Sequence, residues 1–195
     1  KKRKPMHIFE KKPPNSHMMP GGDIMSGSKH SSSSKVIEKM KAKPQAKMGG
    51  NYLNSIIATQ EAKRNGVDEA ILLDHNGNVS EAPGENIFIV RNGELATPTL
   101  ASSALEGITR DAIIKIANDL DIDVVERDII RSELIISDEI FLTGTAAEIT
   151  PIIKMDSKKI GNGKPGDVTK KMMNEYTDIV MNKNNDYSHW LTAVY

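Results

Sequence analysis

Lys47-Met48-Gly49-Gly50-Asn51-Tyr52 places a lysine and two glycines directly before a segment with helical periodicity. Glycine lets the backbone approach a bound ligand closely, and a lysine amine held beside such backbone can lose its hydration and become a nucleophile. We therefore take Lys47 as the candidate reacting group. This stretch alone also fits a solvated lysine followed by a Gly-Gly turn, so the rest of the chain has to decide between the two interpretations.

The sequence after Tyr52 alternates hairpin signals with helical periodicity, which predicts a mixed α+β domain. Strands are predicted at 70–73, 79–82, 86–90, 94–96, 123–125, 139–142 and 149–153. Asn76-Gly77 and Asn92-Gly93 are expected to form two-residue hairpin turns. Because Pro151 has no backbone N–H, we expect its strand to lie at a sheet edge or to end there.

Three helices are predicted between and after these strands. The first covers about 51–65, and the second covers 109–120, with Thr109 as its N-cap and Asp111 in its first turn. The third lies near the C-terminus, where one helical face carries Val168, Met172, Tyr176, Ile179 and Val180.

Residues 1–45 differ in composition from the rest, being rich in lysine, proline, glycine and serine and poor in apolar residues. Such a segment buries too little apolar surface to offset the entropy of ordering. We predict an irregular segment at 1–45, disordered or a remnant of a domain, with a strand at 6–9 and a short helix at 35–41. The folded domain is predicted at 46–195.

Composition narrows the function classes. Lysine plus arginine and aspartate plus glutamate both number 26, and this balance predicts no nucleic-acid partner. The chain has no cysteine, which suits a reducing compartment, and its apolar runs are too short for a bilayer span. We therefore expect a soluble, cytoplasmic protein without a membrane partner. The five histidines show no metal-ligand spacing, so no metal is predicted.

Three further stretches combine small, hydroxyl and acidic residues where a ligand can approach. Gly107-Ile108-Thr109 precedes or opens a predicted helix, and Thr143-Gly144-Thr145-Ala146-Ala147-Glu148 ends a predicted strand, so both suit an anion. Ser80-Glu81-Ala82-Pro83-Gly84-Glu85-Asn86 carries two carboxylates, one of which suits a protonated ring nitrogen. Taken singly, an N-capped loop, a strand-end turn and a pair of solvated acids remain open as alternatives.

Together, the lysine stretch, Ser80 to Phe88, Gly107 to Arg110 and Thr143 to Pro151 resemble branched-chain-amino-acid aminotransferases, which are fold type IV pyridoxal-phosphate enzymes. The resemblance runs from about residue 46 to 195. It implies the C-terminal cofactor-binding domain of that fold, a mixed hairpin-rich sheet or barrel with packed helices. It also implies that the family's N-terminal α/β domain is missing before Lys47.

The resemblance assigns three residues to the reacting part of the cofactor, pyridoxal 5′-phosphate. Lys47 would form the Schiff base with it and shuttle the proton between the substrate Cα and the cofactor. Tyr52 would donate to the phenolic oxygen. Glu81 would pair with the pyridine nitrogen and keep it protonated.

The resemblance assigns the remaining contacts to the phosphate and the substrate. Ile108, Thr109 and Thr145 would bind the phosphate, and the backbone of Thr145 and Ala146 would hold the substrate carboxylate. The implied reaction is transamination between leucine, isoleucine or valine and 2-oxoglutarate, in a homo-oligomer that is a dimer or larger.

Three alternatives stay open beside the branched-chain aminotransferase. D-amino-acid aminotransferase and aminodeoxychorismate lyase share the fold and the lysine, although the residues around Gly49-Gly50 and Gly144 to Glu148 favour the branched-chain type. The third alternative is a truncated, non-catalytic domain that lacks a complete active site. Measured turnover and a substrate screen separate the three.

Overall fold

The computed structural model describes residues 6–11 and 52–192, with the backbone alone for residues 6–11 and Tyr52. Its strands form an eight-stranded sheet in the order β2-β1-β7-β6-β3-β4-β5, with β8 paired to β7. Their bounds are β1 Met6–Lys11, β2 Glu69–Ile71, β3 Asn86–Arg91, β4 Glu94–Thr97, β5 Val124–Glu126, β6 Glu139–Gly144, β7 Glu148–Met155 and β8 Lys158–Lys159. The described strands form an open sheet, so of the two predicted forms the structure shows the sheet.

All strand pairs are antiparallel except β4 with β5, which run parallel. The predicted turn at Asn92-Gly93 is confirmed, since both residues have positive φ angles, of 52° and 84°, as a tight hairpin requires. Gly77 is also left-handed, at 89°, and Leu73 pairs with Val79 across that turn. The predicted return strand at 79–82 is wrong, because Val79 donates instead to the carbonyl of Ile129, outside any ladder.

The prediction that Pro151 marks a sheet edge or a strand end is wrong for β7, which lies between β1 and β6. Pro151 is in the middle of this strand and pairs with Phe141 of β6. The proline is tolerated because β1 ends at Lys11, opposite Ile152. Its missing N–H therefore interrupts no pairing with β1.

Four α-helices are described: α1 Tyr52–Arg64, α2 Ile108–Asp119, α3 Arg131–Ile135 and α4 Asp167–Val180. Short 3₁₀ turns cover Leu100–Ser102 and Asn185–Trp190. The predicted C-terminal helix is confirmed, with Met172, Tyr176 and Ile179 buried. Thr109 is not the N-cap of α2 as predicted, because the helix begins one residue earlier and Gly107 occupies the cap.

Two apolar clusters cover the two faces of the sheet. Along β3, Ile87 and Ile89 belong to one cluster, and Phe88 and Val90 belong to the other, together with α2 and α4. This alternation makes β3 buried on both faces from Asn86 to Val90. The strand that begins with the predicted acidic motif is thus the best-enclosed element near the site.

The predicted strand at 6–9 is confirmed as β1, which joins β2 to β7. The division of the chain at 45/46 stays a prediction, and the short helix expected at 35–41 lies outside the described residues. Within the described ranges, no helix is long and apolar enough to cross a bilayer.

Candidate active site

Two of the predicted motifs meet where β3 begins and β6 ends. Asn86 is the first residue of β3 and pairs with Thr143, the last residue but one of β6. The chain entering β3 therefore lies beside the turn leaving β6. A Cβ at Gly144 would lie 3.2 Å from the carbonyl oxygen of Gly84, so the two turns approach closely because residue 144 has no side chain.

The third motif joins them through the Asn86 side chain. Its Nδ2 donates to the carbonyl of Leu105 at 2.8 Å. A Cβ at Gly107 would lie only 2.1 Å from the Asn86 Oδ1. The segment before α2 is thus fixed against the start of β3, and the helix N-terminus is directed to this end of the sheet.

Glu81, predicted to bind the ring nitrogen, is half-buried beside the same segment. Its Oε2 accepts a hydrogen bond of 2.8 Å from the N–H of Leu105. A backbone donor fixes the orientation of the carboxylate without neutralising its charge. The structure therefore brings Glu81 together with the approach to helix α2.

Thr109 is the second residue of α2 and is only 2% exposed. Its hydroxyl has no hydrogen-bond partner of ordinary geometry in the described part of the chain. No side chain caps this helix either. Buried hydroxyls are normally paired, because an unmet hydrogen bond costs about 1–3 kcal/mol. An unpaired hydroxyl beside uncapped helix amides is an arrangement that suits an anion.

The other buried hydroxyls without a partner lie in the other two motifs. Among the described residues these are Ser80 and Thr143, which are 1% and 0% exposed. Each of the three motifs thus contains one unsatisfied buried hydroxyl. Such a concentration at one end of the sheet points to a polar ligand rather than to an error of packing.

Tyr176 of α4 packs behind Thr109. Burial raises the pKa of Tyr176 to about 12, an effect that interaction with Thr109 reduces and the charge of Glu148 increases. The phenol is therefore neutral at physiological pH. It contributes an apolar wall and a neutral hydroxyl beside the helix N-terminus.

Arg110, next to Thr109 in the helix, is 4% exposed and holds α2 in place. Its guanidinium donates to the carbonyl of Pro98 at 3.0 Å and pairs with Glu126 of β5. A buried charge is stable only with such partners. We interpret Arg110 as an anchor of the helix, since its known contacts all point towards β4 and β5.

Thr145 and Ala146 lie in the turn between β6 and β7, and Thr145 is partly buried while Ala146 is exposed. Ala146 lines a cavity of about 510 Å³. The other walls of this cavity are Ser55, Ile56, Thr59, Gln60 and Lys63 of α1, with Glu69, Pro83, Gly84, Glu85 and Ala147. The turn therefore faces the helix that follows the lysine stretch.

The described residues give no position for Lys47, and of Tyr52 they give only the backbone that begins α1. Sequence reasoning missed Asn86, although it stands five residues after Glu81 inside the acidic motif. A buried asparagine at the first position of an apolar strand is the signal that could have revealed it. No group of three or more His, Asp or Glu residues in the described part of the chain is arranged to hold a metal.

Comparison with known proteins connects this site to one family. Residues 7–155 match the family described as amino-transferase class IV. A probable branched-chain-amino-acid aminotransferase of Aquifex aeolicus is 50% identical over 150 residues, which are 76% of this chain and 48% of that protein. The Escherichia coli K12 branched-chain-amino-acid aminotransferase is 48% identical over 149 residues, again 76% of this chain and 48% of that protein.

Solved structures agree with the sequences. The branched-chain aminotransferase of Thermoproteus uzoniensis with norvaline is 51% identical with a TM-score of 0.74, covering 77% of this chain and 50% of its own. The T.th. enzyme complexed with N-(5′-phosphopyridoxyl)-L-glutamate is 44% identical with a TM-score of 0.75, covering 79% and 52%. The chain spans about half the length of the relatives it matches. With its fold and three of its four motifs in these positions, the chain belongs to the amino-transferase class IV family.

Proposed function

We propose that this chain supplies the cofactor-binding half of a pyridoxal-phosphate aminotransferase that transfers amino groups between branched-chain L-amino acids and 2-oxoglutarate. The observation that carries the proposal is the buried, unpartnered Thr109 hydroxyl at the uncapped N-terminus of α2. In a member of this family, an anion at that position is most simply the phosphate of the cofactor.

The residues present fit the phosphate. Helix α2 is 12 residues long and directs its first amides, those of Ile108 and Thr109, towards the site. The Thr109 hydroxyl adds a side-chain donor that the fold does not use. Thr145 stands at the end of the neighbouring β6–β7 hairpin and is the further donor that we assign to the phosphate.

Glu81 fits the pyridine nitrogen. The Leu105 N–H orients its carboxylate, and an ionised carboxylate favours the protonated form of a ring nitrogen beside it. Bound pyridoxal phosphate supplies an electron sink for the charge that develops at the substrate Cα. Glu81 would maintain that capacity by keeping the proton on the ring.

Lys47 is assigned the covalent attachment of the cofactor and the movement of the proton at the substrate Cα. Both tasks need a neutral amine, which the neighbouring Gly49-Gly50 backbone favours by allowing close packing. Tyr52 is assigned the hydrogen bond to the phenolic oxygen. The backbone N–H groups of Thr145 and Ala146 are assigned the substrate carboxylate.

The substrate class is inferred from the relatives. The matched Thermoproteus structure contains norvaline, and another structure of the T.th. enzyme contains 4-methylvaleric acid, so those proteins accept aliphatic side chains. A third structure contains a phosphopyridoxyl-L-glutamate adduct, which supports 2-oxoglutarate as the amino acceptor. These ligands favour the branched-chain assignment over D-amino-acid aminotransferase and aminodeoxychorismate lyase. A cytoplasmic homo-oligomer, a dimer or larger, belongs to the same proposal.

The test is to incubate the purified chain with pyridoxal 5′-phosphate, reduce it with borohydride, and locate phosphopyridoxyl-lysine by peptide mass. We expect label at Lys47 and its loss in Lys47→Ala, with Lys43→Ala as the matched control four residues away. Labelled protein is then replaced by fresh protein in an assay with leucine and 2-oxoglutarate. Label scattered over many lysines would contradict the cofactor assignment, and specific label without turnover would favour a non-catalytic domain.

A further inference from the structure

Asn86 lies between two of the proposed cofactor contacts without belonging to either. It is 5% exposed and begins β3 opposite Thr143. A buried amide costs free energy unless its polar atoms are satisfied. Its position at the start of an otherwise apolar strand therefore needs a reason.

The Asn86 side chain and the Glu81 side chain hold the same residue. Asn86 Nδ2 donates to the Leu105 carbonyl at 2.8 Å, while the Leu105 N–H donates to Glu81 Oε2 at 2.8 Å. Leu105 is thus fixed from both sides. A shift of Asn86 would move the donor that orients the carboxylate.

The other end of the same amide contacts the start of α2. The Asn86 Oδ1 occupies the space where a Cβ of residue 107 would be, at 2.1 Å from its ideal position. Gly107 has φ −77° and ψ 139°, which any residue adopts. Glycine is therefore needed at 107 for the close approach of Asn86 and not for its backbone angles.

We propose that Asn86 is a positioning residue that sets the separation between the Glu81 carboxylate and the N-terminus of α2. This inference rests on the proposed function, in which the two groups bind the ring nitrogen and the phosphate of one rigid ligand. If their separation changes, the ligand cannot satisfy both contacts at once. Asn86 thus acts on the cofactor through Leu105 and Gly107 without touching it.

The sharpest variant is Asn86→Asp, which keeps the shape of the side chain but turns a donor into an acceptor facing the Leu105 carbonyl. Ser137→Ala is the matched control. Ser137 is also buried and donates to a backbone carbonyl, that of Glu133 at 2.8 Å, but it precedes β6 and so lies at the opposite end of that strand. The control therefore loses an equivalent hydrogen bond away from the site.

Two readouts are measured on the full chain: amide hydrogen exchange at Leu105 without ligand, and pyridoxal 5′-phosphate binding followed by its visible absorption. We expect Asn86→Asp to speed Leu105 exchange by about tenfold or more and to weaken binding by a similar factor, with Ser137→Ala near wild type in both. Equal Leu105 exchange or equal affinity in wild type and Asn86→Asp overturns the role of Asn86 and leaves the proposed function standing. No cofactor binding by the wild type overturns the proposed function, and the inference falls with it.

A double-mutant cycle covers the case in which Asn86→Asp does not fold. Gly107→Ala should weaken cofactor binding in the wild-type background, because the new Cβ displaces the Asn86 amide. In an Asn86→Ala background the same change should cost several-fold less, since Oδ1 is no longer in its way. Additive effects of the two substitutions would contradict the contact on which the inference depends.

Discussion

Thr109→Val separates a hydroxyl kept for a ligand from one kept for the fold. Valine has nearly the shape of threonine and removes only the hydroxyl. Because that hydroxyl has no partner of ordinary geometry in the described residues, its removal breaks no hydrogen bond of the free chain. We expect the free energy of unfolding without ligand to stay the same or to rise by about 1 kcal/mol.

The same change should weaken binding of pyridoxal 5′-phosphate. A hydrogen bond to a charged group contributes about 1.5–3 kcal/mol, so the dissociation constant should rise by about 10- to 150-fold. The assay combines urea unfolding without ligand and a cofactor titration followed by absorption. Opposite signs in the two measurements, stability maintained and affinity lost, are the signature of a ligand contact.

Thr97→Val is the matched control. Thr97 is 0% exposed, and its hydroxyl donates to the Ile87 carbonyl at 2.8 Å. This variant should lose about 1–2 kcal/mol of stability, because it leaves a buried carbonyl unsatisfied. If Thr109→Val loses as much stability as Thr97→Val and binds the cofactor as tightly as wild type, the assignment of Thr109 to the phosphate is refuted.

Three further substitutions test the surroundings of the site. Glu139→Ala should destabilise the chain by about 2–3 kcal/mol in urea unfolding, because Glu139 accepts from the Val168 N–H at 3.1 Å and from the N–H and hydroxyl of Thr169 at 2.7 and 2.6 Å. Tyr176→Phe should remove a loss of stability of roughly 2–3 kcal/mol that wild type shows between pH 10 and 12, since its pKa is raised to about 12 and its neutral form is favoured only in the folded state. Glu133→Gln should destabilise at neutral pH by roughly 1–2 kcal/mol, and the difference from wild type should shrink as the pH falls below 4.5, because the hydrogen bond from Arg127 lowers the Glu133 pKa.

Each of these results has an outcome that contradicts it. For Glu139, the exposed pair Lys115 and Asp111 supplies the control, since Asp111→Ala should cost well under 1 kcal/mol. An equal cost in the two variants would contradict the cap. Parallel alkaline profiles for wild type and Tyr176→Phe, or a Glu133→Gln difference that is constant with pH, would contradict the corresponding pKa shifts.

The parts of the fold that depend on neighbouring residues could be predicted from the sequence. The Asn92-Gly93 turn was predictable because its left-handed angles are a property of those two residues. The apolar face of α4 was predictable from its spacing. Pro151 shows the limit, since its position in the sheet depends on where β1 ends, and β1 lies far away in the sequence.

The candidate site shows the same division. Glu81 and Thr109 could be named from motifs, and the structure places both near the start of β3. The cap of α2 was misassigned to Thr109, because the close contact between Asn86 and Gly107 sets where the helix begins. That contact joins residues that no local pattern relates, so the role of Asn86 emerges only in three dimensions.

Strand β3 also has a consequence for handling the protein. In the folded chain it is covered on both faces and paired on both edges, by β4 and β6. In the unfolded chain the same residues, 87–90, form an uncharged run with strong β-propensity, which is the composition of aggregation-prone segments. Glu85 and Arg91 flank it as charged gatekeepers. Slow, cool expression that limits the unfolded population should therefore favour soluble protein over inclusion bodies.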